Sequence, residues 1–236
     1  MKIGIGCLTY NRPEHLELWK EQTIRNVSLG TPFRIYYADD SQDRKGIAYR
    51  SNECLRALKD CDYVFIFNDD CFPIKQGWAE WFIRASRKSQ QQHFLFLKET
   101  PTIKFIKHYV GEFDFPQQPL LQTPILEYNN CAGCFMFLTK EAIEKVGAFD
   151  ERFGRYGFEH CQYSDRVHSA GLTPLGKYLC PAGAGEYIYS LDLDNHLPFN
   201  KQLNHKPSMG VKETMECLKV SQQVYNLKDK PLYLPL

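Results

Sequence analysis

The stretch YVFIFNDDCFP, residues 63–73, runs through mostly apolar residues straight into two adjacent carboxylates, Asp69 and Asp70. Like charges this close raise each other's pKa unless a positive partner stands beside them. With the amide of Asn68 they make a set of hard oxygen donors, suited to Mg2+ or Mn2+, ions that complete their shells with substrate phosphates. A divalent cation carrying a diphosphate would relieve the repulsion and stabilise a phosphate leaving group. Two other polar clusters close apolar runs in the same way, TYNR at 9–12 and DDSQD at 39–43. No G-x-x-x-x-G-K-[ST] loop occurs, and GIG at 4–6 is too short for a dinucleotide fingerprint. Metal and side chains, rather than a backbone cradle, would hold these phosphates.

The elements before each cluster must bring the clusters together. KIGIGCL reads as a short buried strand, followed by a helix with Asn11 or Arg12 near its cap and Pro13 in its first turn. Leu16, Trp19, Thr23 and Val27 give that helix one face. FRIYYA is a second strand, with a helix after Gly46 that turns Ile47, Cys54, Leu55 and Leu58 inward. YVFIFN, apolar on both faces, is a third strand of the parallel, helix-covered kind. Trp78, Trp81, Phe82 and Ala85 then recur at helical spacing as core packing. Three strand–helix units in a row predict an α/β sheet with helices on both faces, and ligands bind such sheets outside the carboxyl ends of the parallel strands. All three polar clusters fall at that one edge.

Further along, HFLFL and CFMFLT read as strands, KEAIEKVG as a short helix, and a helix runs from Glu159 to Ala170. Residues 98–130 hold four prolines and little periodicity, as a lid or binding loop would. KFIKHYVG within that segment is locally basic and aromatic. Val211, Met215, Leu218, Gln222 and Tyr225 mark a final amphipathic helix before an irregular tail. One domain is expected over 1–236, with a first half over about 1–97, a second over about 98–210, and a helix and tail over 211–236.

A net charge of +1, from 29 basic and 28 acidic residues, gives no bulk signal for nucleic acid or membrane. Nine cysteines in no regular framework read as reduced thiols. The N-terminal apolar run is too short for a signal peptide, and nowhere do eighteen apolar residues stand together to span a membrane. These features lead to the expectation of a cytoplasmic protein without a transmembrane segment.

IGIGCLTYNRPEHLE, ADDSQD, GIAYRSNECL and VFIFNDDCFP, in that order, resemble the family-2 glycosyltransferases of the GT-A fold. NCAGCFMFLTKEAIEKVGAFDERFGRYGFEH followed by SDRVHSAG resembles the acceptor-side segment of the same family, so the likeness covers roughly residues 3–175. The resemblance implies a Rossmann-like mixed sheet and a metal-dependent enzyme using Mn2+ or Mg2+. It would move a hexose or pentose from a nucleotide-sugar donor, a UDP-sugar by preference, to an acceptor hydroxyl, with inversion. Glycans are the default acceptors; lipid-linked, protein, small-molecule and modified-nucleobase acceptors stay open. The alternatives are a nucleotidyltransferase and a non-catalytic nucleotide-sugar-binding module.

Carried over position by position, the resemblance places Thr9, Tyr10 and Asn11 along the nucleotide, Asp40 against the base and Arg50 near the diphosphate. Asn68 and Asp69 would face ribose or sugar, Asp70 would ligate the metal, and Gly133 would lie beneath the acceptor cleft. In FEHCQYSDR the family's Glu-Asp is Glu-His, so the general base is Glu159 or His160, with Glu159 preferred as proton acceptor. Glu159 also suits the start of its helix, where the dipole favours an acid. A histidine metal ligand is sought in His205, beside Lys206 and Ser208, or in His196. Cys131 and Cys134 form C-x-x-C without a second pair, and read as small buried hydrophobes.

Overall fold

The structure is a computed structural model that describes residues 1–28, 30–99, 104–109, 113–115, 118–121, 124–129, 132–192 and 209–236. Its central sheet has five strands in the order β2 (Phe33–Asp39), β1 (Ile3–Thr9), β3 (Tyr63–Asn68), β10 (Phe135–Thr139) and β5 (His93–Leu95). β1 lies parallel to β2 and β3, whereas β10 runs antiparallel to β3 and β5. The mixed α/β sheet expected from the sequence is therefore present. β10, from the second half of the chain, is inserted between β3 and β5 of the first, so the two halves share one sheet.

β3 is apolar on both faces because both are covered. Phe65 and Phe67 join Trp19 of α1 (Pro13–Asn26) and Trp78, Trp81, Phe82 and Ala85 of α3 (Trp78–Ser89) in one core. Val64 and Ile66 pack on the other side against Cys54 and Leu55 of α2 (Ile47–Ala57), α4 (Lys140–Val146), and Tyr163 and Val167 of α5 (Glu159–Ser169). The four aromatic and alanine positions spaced as a helical stripe are all buried, as their period requires.

Residues 98–130 depart from the expected loop. Their described parts hold β6 (Phe105–His108), β7 (Phe113–Phe115), β8 (Gln118–Leu121) and β9 (Ile125–Tyr128). β9 pairs with β6 and with β11 (Leu179–Pro181) in a second, three-stranded sheet. Strands this short carry too few alternations to be read among prolines. β6 takes up the basic–aromatic KFIKH stretch, and none of residues 104–109 lines the cleft described below. A further two-stranded pair joins β4 (Cys71–Pro73) to β12 (Ile188–Ser190), with Cys71 opposite Ser190.

α6 (Val211–Tyr225) corrects the sequence reading of its face. Val211 and Met215 are 82% and 62% exposed, and the packed side is Leu218, Ser221 and Tyr225. Ser221 Oγ donates to the carbonyls of Phe153 and Tyr156 at 3.0 and 2.6 Å, Tyr225 Oη donates to Asp165 at 2.6 Å, and Leu218 sits against Gly157. A small polar residue anchors this helix, which a hydrophobic count cannot see. No described helix is long and apolar enough to cross a membrane.

Buried His93 ties the sheet to α5: Nδ1 is 2.8 Å from the Phe137 carbonyl and Nε2 is 2.8 Å from Ser164 Oγ. Burial pushes its pKa down to about 4. The folded value lies below the unfolded one of about 6.5, so stability is full above pH ~6.5 and declines as pH falls toward 4. The shift corresponds to about 3 kcal/mol at its limit. Urea unfolding at pH 7.5 and pH 4.5 should show a smaller acid loss for His93→Gln than for the wild type; identical pH slopes would contradict this.

Candidate active site

The carboxyl ends of β1, β2 and β3 open on a cleft of about 500 Å³. Thr9, Tyr10, Asp40, Asn68 and Asp70 line it, together with Gly133, Glu159 and His160 from the second half of the chain. The three polar clusters thus converge, as the sheet-edge argument predicts.

The positive partner of the acid pair in this structure is Arg12. Its Nη2 donates to Asp69 Oδ1 and, at 3.0 Å, to Asp70 Oδ2. Asp69 is fully buried, and Thr9 Oγ1 donates to its Oδ2 at 2.7 Å. Burial first, and then the Asp70 charge, push Asp69 up to about 7, against the pull of Arg12. Asp69 is therefore not among the residues that line the cleft. It holds Thr9 and Arg12 from below, because its side chain turns toward β1. Asp70 is the member of the pair that meets the cleft.

Arg50 lines the cleft, and its guanidinium is held by Asp40 at 3.0 Å, by Glu53 at 2.6 Å and by Asp43. Asp40 Oδ1 also accepts from Gly46 N at 3.0 Å. These bonds shape the loop after β2. Gly46 has φ +95°, and a Cβ there would run into the Gly154 carbonyl, so glycine is required where the donor loop meets the 154–158 turn. Tyr10 carries the Arg44 guanidinium 5.0 Å from its ring centroid. Arg44 and Arg155, both lining the cleft, donate to Glu213 of α6. Asn11 is exposed with φ +50°, its N–H donating to Ser41 Oγ at 2.9 Å. Among the described residues, Asn11, Arg44 and Phe158 are three of the four non-glycine residues at positive φ, a concentration of backbone strain around one cleft.

His160 Nδ1 lies 2.9 Å from Glu159 Oε1. Burial works against the charge on His160, but the adjacent Glu159 carboxylate outweighs it and raises the imidazole to about 10. Burial also opposes the charge on Glu159, and the imidazolium overcomes it, holding the carboxyl below its ordinary value. The pair is ionic at neutral pH. Glu159 Oε2 is buried, and the backbone N–H groups of Gly157 and Glu159 also favour the ionised carboxylate. Gly133 lies flat against the imidazole: a Cβ there would stand 2.6 Å from Nδ1. Cys134 is partly exposed and lines the cleft, contrary to the reading of the C-x-x-C as buried; Cys131 lies outside the described residues.

His196 and His205 also lie outside the described residues. Among those described, no three His, Cys, Asp or Glu side chains form a metal cage. Sequence reasoning missed Asp192. The β4–β12 pairing, with Leu191 N donating to the Asp70 carbonyl at 2.8 Å, brings it to the Asp70 end of the cleft. Two carboxylates fit a hard divalent ion that takes its other ligands from diphosphate and water. Arg12, Arg44, Arg155 and Glu213 were missed as well; only Arg12, inside TYNR, had a signal, and it was spent on the helix cap.

No protein-family profile matches the chain. In sequence it is similar to an uncharacterized glycosyltransferase, R363, of Acanthamoeba polyphaga mimivirus, 24% identical over 144 residues, which are 60% of this chain and 52% of that protein. The chain thus spans about half the length of the curated relative it matches. Among solved structures it is similar to a mutant Drosophila β1,4-galactosyltransferase 7 in complex with manganese, UDP-Gal and xylobiose, with TM-score 0.49, 14% identity, and 90% and 78% of the two chains covered. It is also similar to the mannosyltransferase PcManGT of Pyrobaculum calidifontis in complex with GDP-Man and Mn2+, with TM-score 0.48, 12% identity, and 75% and 54% covered. A third is S. aureus TarS in complex with UDP, with TM-score 0.46, 13% identity, and 72% and 56% covered.

Proposed function

We propose that this chain is a glycosyltransferase that moves a sugar from a nucleotide-sugar donor, a UDP-sugar first, to an acceptor hydroxyl with inversion. One observation carries the reading: the ends of three parallel strands meet in a single cleft whose lining includes both Asp70 and a buried carboxylate, Glu159. Tyr10 and Asp40 border the part of the cleft that suits the nucleoside. Asp70 and Asp192, with His205 or His196 as further candidates, would hold Mn2+ or Mg2+, which supplies charge neutralisation for the departing diphosphate.

Arg12 keeps a permanent positive charge at the acid pair and leaves Asp70 able to turn to a cation. The acceptor oxygen bonds to the anomeric carbon as the bond to the diphosphate oxygen breaks, and the electron pair leaves on the diphosphate. The acceptor proton goes to Glu159, a carboxylate of the cleft lining held ionised by His160. His160, already protonated, orients Glu159 and is not the base.

The test is product analysis with a panel of nucleotide sugars and Mn2+. Release of nucleoside diphosphate, stopped by chelator, supports the reading; release of pyrophosphate would make the chain a nucleotidyltransferase. The pair also fixes the pH profile. With Glu159 below and His160 well above their ordinary values, the rate should stay level between about pH 6 and 9. A limb near ~6.5, where an unperturbed histidine titrates, would show that the base is an ordinary imidazole.

A further inference from the structure

The acceptor wall carries a cation where the family resemblance implies a second carboxylate. Glu159 is 3% exposed, and a carboxylate that deeply buried persists only when paired. Its partner is His160 at 2.9 Å, and the imidazole is the more exposed member, 16% against 4% for the two side chains. The cleft therefore meets the positive half of the pair. That half is also fixed in place. Gly133 backs the ring, Ser164 Oγ donates to the His160 carbonyl at 2.9 Å, and His93 Nε2 stands 2.8 Å from the same Oγ. Ala132, Cys134, Gly157 and Phe158, also in the cleft lining, bear no formal charge, Cys161 contacts the His160 side chain, and Arg155 at the rim is paired with Glu213 at 2.8 Å.

We infer that the acceptor carries an anionic group, a phosphate or a carboxylate, beside the hydroxyl that takes the sugar, and that His160 binds it. The inference rests on the transferase reading above. An imidazolium held rigid at a partly desolvated wall donates a charge-assisted hydrogen bond to an anionic oxygen, and such bonds are about twice as strong as neutral ones.

The probes are glycerol, glycerate and glycerol phosphate, which differ in the anionic group alone. Each is titrated into the protein saturated with UDP and Mg2+, and the His160 imidazole resonances, identified by their absence from His160→Gln, are followed by NMR. Glycerate or glycerol phosphate should shift these resonances while glycerol does not, and the arm that does so names the group. Binding of that anion should weaken roughly tenfold or more in His160→Gln. Unmoved resonances with all three probes, or equal anion affinity in the variant, would overturn the inference. If His160→Gln is unstable, His160→Asn takes its place for identifying the resonances and for the affinity comparison. UDP affinity is read in the same samples. UDP bound without any anion response sinks the inference and leaves the transferase reading standing; no UDP binding sinks both.

Discussion

Glu159→Gln is expected to lower the transfer rate by ~10²–10⁴, the range typical of losing a general base. At 1.36 kcal/mol per tenfold this is roughly 2.7–5.4 kcal/mol of barrier. The substitution keeps the shape of the side chain and an oxygen for the 2.9 Å contact with His160, but removes the proton-accepting charge. It also removes the carboxylate that holds His160 protonated, so the imidazole should titrate closer to its ordinary value in the variant. Donor affinity should change little, because the proposed role of Glu159 is toward the acceptor and its side-chain ion partner is His160. Rates measured at saturating donor, with UDP affinity as the control, separate the two effects. Near-full activity in Glu159→Gln would remove Glu159 from the mechanism.

Asp70→Asn should abolish the contribution of the divalent ion to nucleotide binding. Asp70 is the acid of its pair that meets the cleft, whereas Asp69 is buried against Thr9 and Arg12. A diphosphate that shares a cation with Asp70 gains several kcal/mol of charge stabilisation. Calorimetric titration of UDP with Mn2+ should therefore show at least about a hundredfold weaker binding in the variant, or ~2.7 kcal/mol. With chelator present, wild type and variant should bind equally weakly. The Arg12–Asp69 pair survives the substitution, so the fold should persist. Equal UDP affinity in all four titrations would refute the metal reading.

What the sequence disclosed follows from local periodicity. Apolar runs ending in polar clusters placed Thr9, Asp40 and Asp70 at one sheet edge, and a helical stripe placed Trp78, Trp81, Phe82 and Ala85 in the core. What it hid depends on contacts far apart in the chain. Arg12 reaches Asp69 across 57 residues. Asp192 reaches the cleft through strand pairing between β4 and β12, each three residues long and too short to be read from pattern. Glu213 reaches it through α6, whose buried anchor is a serine rather than a hydrophobe. Arg50 was legible as a cleft residue, but its three carboxylate partners lie on the surrounding loop and helix, and their convergence is a product of the fold.

The central claim, that this cleft is a nucleotide-diphosphate and divalent-metal site, is tested most directly by a crystal structure with UDP and Mn2+. The account predicts an anomalous manganese peak at Asp70, with the diphosphate on it and the uracil beside Tyr10 and Asp40. Manganese or diphosphate bound away from Asp70, with the cleft free of nucleotide, would contradict it.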